Sequence, residues 1–288
     1  DVYKRQSNIS GNNTVGLSAA GLVNITGDRT QGVIISGLTS IGGDNTSGLM
    51  ISGFMNVTGN MASGLHFSGA ANITGQSFGG LMASGLLNVV GEHMNGLQMA
   101  GIANITASKL NGVQIALCNY ATQARGLQIG LVNYYKEDMK GFQLGLVNAN
   151  PDTRVQMMVY GGNATPANIG VRFKNQLFYT ILGIGSMYQG LNDKFSASAS
   201  YRAGLSFTLY KGLSISGDLG YQHIEAFDNK DEVIPKRLYA LQARANLEYQ
   251  FTRKFGIFAT GGYGLTRFYN KSSNYDKGAI IEAGIVLF

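Results

Sequence analysis

The chain has 288 residues, including 41 glycines, 3 prolines, 1 cysteine and no tryptophan, and carries a net charge of +6 with only 13% charged residues. Its low charge excludes a generic disordered chain. Scarce proline without a three-residue period excludes collagen, and one cysteine excludes a disulfide framework or a multi-cysteine zinc site. Residues 1–119 sum to zero charge, and the whole +6 comes from 18 basic and 12 acidic residues beyond them, where most aromatics also lie. That asymmetry divides the chain into two parts.

Residues 1–6 (DVYKRQ) do not fit the pattern that follows and are set aside as a non-native or fragment leader. From there glycine recurs every sixteen residues, at Gly16, Gly32, Gly48, Gly64, Gly80, Gly96 and Gly112. An asparagine lies eight residues after most of the first six, at Asn24, Asn56, Asn72, Asn88 and Asn104, with Ser40 the exception. Two further units, GLQIGLVN at Gly126–Asn133 and GFQLGLVN at Gly141–Asn148, follow with shorter links. Within a unit the apolar period is two, as in Leu65, Phe67, Gly69, Ala71 and Ile73 against His66, Ser68, Ala70, Asn72 and Thr74. That is strand patterning.

A fixed period of this length marks a repeat architecture, so residues 7–150 are predicted to form a β-solenoid of about nine short coils. Stacking is expected to bury the apolar row. The repeat glycines are expected at coil corners, and the repeat asparagines in an amide ladder. A second reading keeps the strands but places them in the wall of one large, porin-like barrel. The single-strand period and the lack of aromatic girdles count against it.

Residues 151–288 read as an antiparallel transmembrane β-barrel of about eight strands. In residues 238–252, Tyr239, Leu241, Ala243, Ala245, Leu247, Tyr249 and Phe251 form one face, and small or charged residues such as Arg244 and Glu248 form the other. Residues 195–210 repeat the pattern around Tyr201 and Phe207. An apolar face with aromatics at both ends fits lipid-facing strands, which makes Tyr201, Phe207, Tyr239, Tyr249 and Phe251 the candidate lipid-belt aromatics. Arg172, Arg202, Asp218, Arg244, Glu248 and Glu282 then point inward, where they are expected to pair. The prolines Pro151, Pro166 and Pro235 all lie outside the predicted strands.

The last segment, GAIIEAGIVLF, resembles the final strand of Gram-negative outer-membrane β-barrels, which the barrel-insertion machinery reads; the resemblance makes Phe288 the insertion signal. GLQIGLVN and GFQLGLVN resemble the tandem units of Gram-negative surface-repeat proteins, closely over residues 112–150 and loosely over 7–111. These likenesses imply a protein of the bacterial outer membrane and bring no catalytic residues. An even-stranded barrel brings both its ends to one side, periplasmic in such proteins, whereas the repeat resemblance implies the surface. The repeat domain is therefore assigned to neither side.

The remaining candidate sites are weak. His66 is expected to be exposed or at a ladder edge, His93 lies in a link, and Cys118 is expected to be a buried, inert thiol. His223 and Glu225 share a strand face near a loop, with Asp218 nearby in sequence, so a barrel acyl-transfer or lipase-type site can be drawn there. No serine is placed by spacing to complete it. The Asn-Ile-Thr triplets are better explained as ladder positions than as glycosylation acceptors. No phosphate loop, metal-ligand set or cofactor motif is present, and the basic excess is too scattered for nucleic acid. The chain is expected to be a non-catalytic envelope protein with a structural, adhesive or interaction role. Its expected partners are outer-membrane lipid, the barrel-insertion machinery and an envelope or host ligand on the solenoid face. A porin-like channel is the alternative, and a barrel enzyme using His223 the third reading.

Overall fold

A computed structural model describes residues 6–188, 195–227, 237–269 and 274–287. Among them every regular element is a β-strand, and the chain divides into two compact units, residues 1–151 and 152–288. The expected fold class is the one observed: a parallel β-solenoid followed by a closed eight-stranded antiparallel barrel. The repeats do not enter the barrel wall, which overturns the single large barrel. The leader residues 1–5 and the terminal Phe288 lie outside the described residues.

In the solenoid each coil from Arg29 to Val90 supplies one eight-residue strand and one four-residue strand, as in Met61–Ser68 and Ala71–Thr74. Like strands stack in parallel into two ribbons, which join in the continuous strand Ala103–Ile115. The stacking is in register with the repeat, so that Gly48, Gly64 and Gly80 pair in turn, as do Asn56, Asn72 and Asn88. The later units keep this alignment across their shorter links by register shifts, one between Thr106 and Lys109 and one between Ala121 and Gln123.

The glycine expectation needs one correction. Gly64 and its equivalents lie inside the long strand, not at a corner. Their φ is positive, +107° at Gly64, and a Cβ there would overlap the carbonyl oxygen of Gly48 in the preceding coil. Both the left-handed backbone and the close approach require glycine. The corners are taken by the next glycines, such as Gly69 and Gly75.

The structure also inverts the expected interior. Ala62, His66, Asn72 and Thr74 of the reference coil are buried, while Leu65 and Phe67 are exposed and Ala71 and Ile73 half-buried. His66 is only 1% exposed, which overturns its placement at the surface. Cys118, expected to be buried, is exposed because it occupies the outward Ala71–Ala103 column. The interior contains a central apolar cluster around Phe78, Met82, Met94 and Leu110. Toward both ends it is lined chiefly by amides and hydroxyls.

In the barrel the eight strands pair in sequence order, and the first (Arg154–Gly162) closes on the last (Asn274–Leu287) through Met158 and Val286. Short turns at 176–177, 211–212 and 253–254 connect strands at the end where the chain enters and leaves. At the other end the strands are separated by longer stretches of sequence, 163–166, 187–195, 227–236 and 269–273, of which 189–194, 228–236 and 270–273 lie outside the described residues.

Candidate functional site

The barrel interior is a closed ion-pair network. Arg172 donates from Nη1 and Nη2 to the two oxygens of Glu248 at 2.6 and 2.9 Å, and from Nε to Gln156 at 2.6 Å. Arg202 holds Asp218 through Nε and Nη2, both at 2.8 Å. The Tyr179 hydroxyl and the Asn246 amide donate to the same Asp218 oxygen at 2.7 and 2.8 Å. Arg244 makes two 3.2 Å bonds to Glu282, which also lies 3.7 Å from Arg202. Three arginines thus face three carboxylates, and paired geometry of this kind offsets the large cost of removing each charge from water. A cavity lined by Met158, Arg172, Tyr179, Arg202 and Glu248 at this level holds only about 10 Å³, room for about one water.

This network follows from alternation. In the strand Arg237–Thr252 the even residues from Leu238 to Glu248 are buried and the odd residues point outward, so Arg244, Asn246 and Glu248 line the interior together. Cross-strand register then places Asp218 beside Arg244 and Arg202 two strands from it.

On the outer wall, Phe207, Tyr249 and Phe251 are exposed, and Tyr201 and Tyr239 are half-buried on the outward face. Tyr249 packs edge-on against Phe251, which stacks on Phe255 near the short-turn end. Tyr239, Tyr221 and Tyr269 form a second aromatic group toward the loop end. Between the two groups the outward residues are apolar, including Leu241, Leu247, Leu219, Ile215 and Ile281. From Tyr239 to Tyr249 the strand rises about 34 Å, or about 24 Å along the barrel axis at a ~45° tilt.

The loop end carries the residues of the acyl-transfer reading. His223 Nδ1 lies 2.9 Å from the Tyr269 hydroxyl and its Nε2 lies 3.8 Å from Glu225, which also meets Arg237 at 3.3 Å. These side chains face outward, whereas Asp218 points into the barrel and takes no part. Across the sheet the row from Glu225 continues through Ala197 to Ser186. No serine hydroxyl contacts His223 among the described residues.

In the solenoid, the repeat asparagines form a one-directional ladder. Asn56 donates to Asn72, Asn72 to Asn88, Asn88 to Asn104 and Asn104 to Asn119, at 2.8–3.1 Å. Each amide also donates to a backbone carbonyl of the next coil, as Asn72 does to Ala83 at 2.8 Å. A second ladder runs the opposite way: Gln143 donates to Gln128, Gln128 to Gln114 and Gln114 to Gln98, each at 2.8 Å. The sequence reading missed it, although the Q of GLQIGLVN recurs two residues after Gly96, Gly112, Gly126 and Gly141. His66 occupies the same column between Met50 and Met82, and burial pulls its imidazole pKa down to about 4.

No protein-family model matches the chain, and no curated protein matches it. Among solved structures, it is similar to the N-terminal β-barrel domain of Pseudomonas aeruginosa OprF, at 15% identity over 46% of this chain and 93% of that one, with a TM-score of 0.33. It is also similar to Neisserial surface protein A (NspA), at 9% identity over 46% of this chain and 92% of that one, with a TM-score of 0.30.

Proposed function

We propose that the chain is a bacterial outer-membrane protein whose barrel anchors it in lipid, with a structural or interaction role and no catalytic one. One observation carries this reading: an apolar outward band, framed by aromatic groups at both ends, whose height of about 24 Å matches the ~25 Å band of outer-membrane barrels. Short turns at one end and longer connections at the other follow the same pattern. The ion pairs that cross the lumen favour an anchor over a porin-like channel. In this reading the aromatics contact lipid at its interfaces and the barrel-insertion machinery delivers the chain. The Tyr269–His223–Glu225–Arg237 group is then rim polarity at headgroup level, and the polar side of the solenoid offers a face to an envelope or host ligand.

Flotation with phosphatidylcholine vesicles followed by a urea wash tests the anchor. The refolded chain should float and stay with the lipid. Release by urea would overturn the reading. Density separation of membranes from a Gram-negative expression host should place the chain with the outer membrane.

A further inference from the structure

The outer surface of the solenoid is sharply divided. Five outward columns, headed in the reference coil by Leu65, Phe67, Ala70, Ala71 and Ile73, run through all nine coils without a charged residue. Ser7 and Thr39 are their only Ser, Thr, Asn, Gln or His in residues 7–150, and Tyr120 and Tyr134 bring the only aromatic hydroxyls. Along the ridge, Leu22, Leu38, Phe54, Leu86, Ile102, Leu117 and Leu131 are about half exposed. Every charged residue between 7 and 150 lies elsewhere. Arg29, Lys109, Arg125, Asp138 and Lys140 stand in the Met61 and Ser63 columns, and Asp28, Asp44, Glu92, Lys136 and Glu137 at the corner after the short strand.

The ridge separates the last half of each long strand from the short strand, so the apolar columns form two flat faces meeting at one edge. Each face is four residues wide, about 13 Å, and nine coils long, about 43 Å at ~4.8 Å per coil. A second copy docking flat on one face would bury about 560 Å² per partner, short of the ~800 Å² of a standard stable interface, and would leave the other face bare. A protein partner covering both would find almost no hydrogen-bonding side chain, although interfaces average about one hydrogen bond per 100–200 Å². Backbone groups offer little either, because the ribbons pair them from coil to coil. Hydrocarbon has no such requirement. The wedge is also at most about 13 Å deep, within the ~15 Å of one leaflet of a ~30 Å hydrocarbon core.

We infer that the solenoid is itself a lipid-embedded element, lying in the plane of a membrane with its two apolar faces wedged into one leaflet and its charged columns among the headgroups. Its interior suits that position. The Asn and Gln side chains bond along their own ladders inside, so the coil keeps these amides from lipid while it presents Leu, Ile, Val and Met to it. The inference rests on the reading that the chain is a membrane protein, and its test separates the two.

The chain has no tryptophan, so a single introduced Trp reports one place alone. The full chain carrying Leu86→Trp, Ile102→Trp, Ser63→Trp or Leu241→Trp is reconstituted into phosphatidylcholine vesicles brominated on their acyl chains. Leu241→Trp, on the barrel wall, reports the anchor. Leu86→Trp and Ile102→Trp should lose most of their emission, as Leu241→Trp does, while Ser63→Trp keeps its own. Retained emission at both ridge positions beside a quenched Leu241→Trp overturns the wedge and leaves the anchor standing. Quenching of Ser63→Trp equal to that of the ridge overturns the wedge orientation. An unquenched Leu241→Trp overturns the anchor, whatever the ridge shows.

Discussion

The side-chain amide of Asn56 donates to Asn72 Oδ1 at 2.8 Å, while its own buried Oδ1 receives no hydrogen bond among the described residues. The cause lies one coil back. Ser40 replaces the repeat asparagine there and bonds instead to Ser36 at 2.6 Å, so the ladder is broken between Asn24 and Asn56. Ser40→Asn should close the gap and stabilise the solenoid by about 1 kcal/mol, the net worth of a buried hydrogen bond. Urea unfolding of the full chain in detergent measures it. An unchanged or lower midpoint would show that the coil has no room for the amide.

Asn72→Ala should act in the opposite direction. It leaves the Asn56 amide without its side-chain acceptor and the Asn88 oxygen without its donor inside a closed interior. Stranding buried polar groups costs about 1–3 kcal/mol each, so a loss of at least 2 kcal/mol is expected in the same unfolding assay. A loss below half that would mean the ladder is ornamental to the coil.

His66 makes the solenoid acid-sensitive. Its folded pKa of about 4 lies below the ordinary 6.5, so between those values the unfolded chain binds a proton that the folded chain refuses. Stability is therefore unaffected by this group above pH 6.5 and falls as pH drops toward 4, by about 3 kcal/mol. His66→Met, which continues the Met50–Met82 column, should remove this dependence. Unfolding midpoints at pH 7.5 and 4.5 decide it: an equal acid shift in the variant would clear His66 of the effect.

Arg202 is the keystone of the barrel interior, 1% exposed and bonded twice to Asp218. Arg202→Met should destabilise the barrel by about 3–5 kcal/mol by leaving Asp218 buried without its partner. Adding Asp218→Leu should recover most of that loss. The folded fraction on cold gel electrophoresis in detergent, against urea, reads both. A double variant no better than the single one would show that packing, not charge, explains the loss. Planar-bilayer recordings of the unaltered chain should lack large steady currents.

Ala245→Arg, at mid-height on the outer wall, should cost about 2–4 kcal/mol in lipid vesicles, as expected for a charge at the bilayer midplane. A water-exposed surface would tolerate it within ~0.5 kcal/mol. That smaller value, measured by unfolding from vesicles, would contradict a lipid-facing wall.

Much of this architecture was legible in the sequence. The sixteen-residue period sets the coil length, and the positive φ of Gly64 explains why glycine marks each coil. The alternation around Arg244 identifies which barrel residues share a face. A strand period of two defines two faces, however, and does not say which one is inside. In the barrel the charged face turns inward because its arginines and carboxylates find one another across the lumen, as Arg172 finds Glu248. In the solenoid the equivalent choice was hidden. A single repeat shows Leu65 and Asn72 but not the neighbour 16 residues away to which each amide bonds, and only stacking reveals it. Closed coils have room for small amide and hydroxyl side chains that bond along the axis, so the polar face went inside and the leucines outside. The sequence by itself determined the strands, their period and the boundary between the two units. Tertiary stacking decided which face each strand buries, because that depends on hydrogen bonds between residues that are neighbours only in the folded chain.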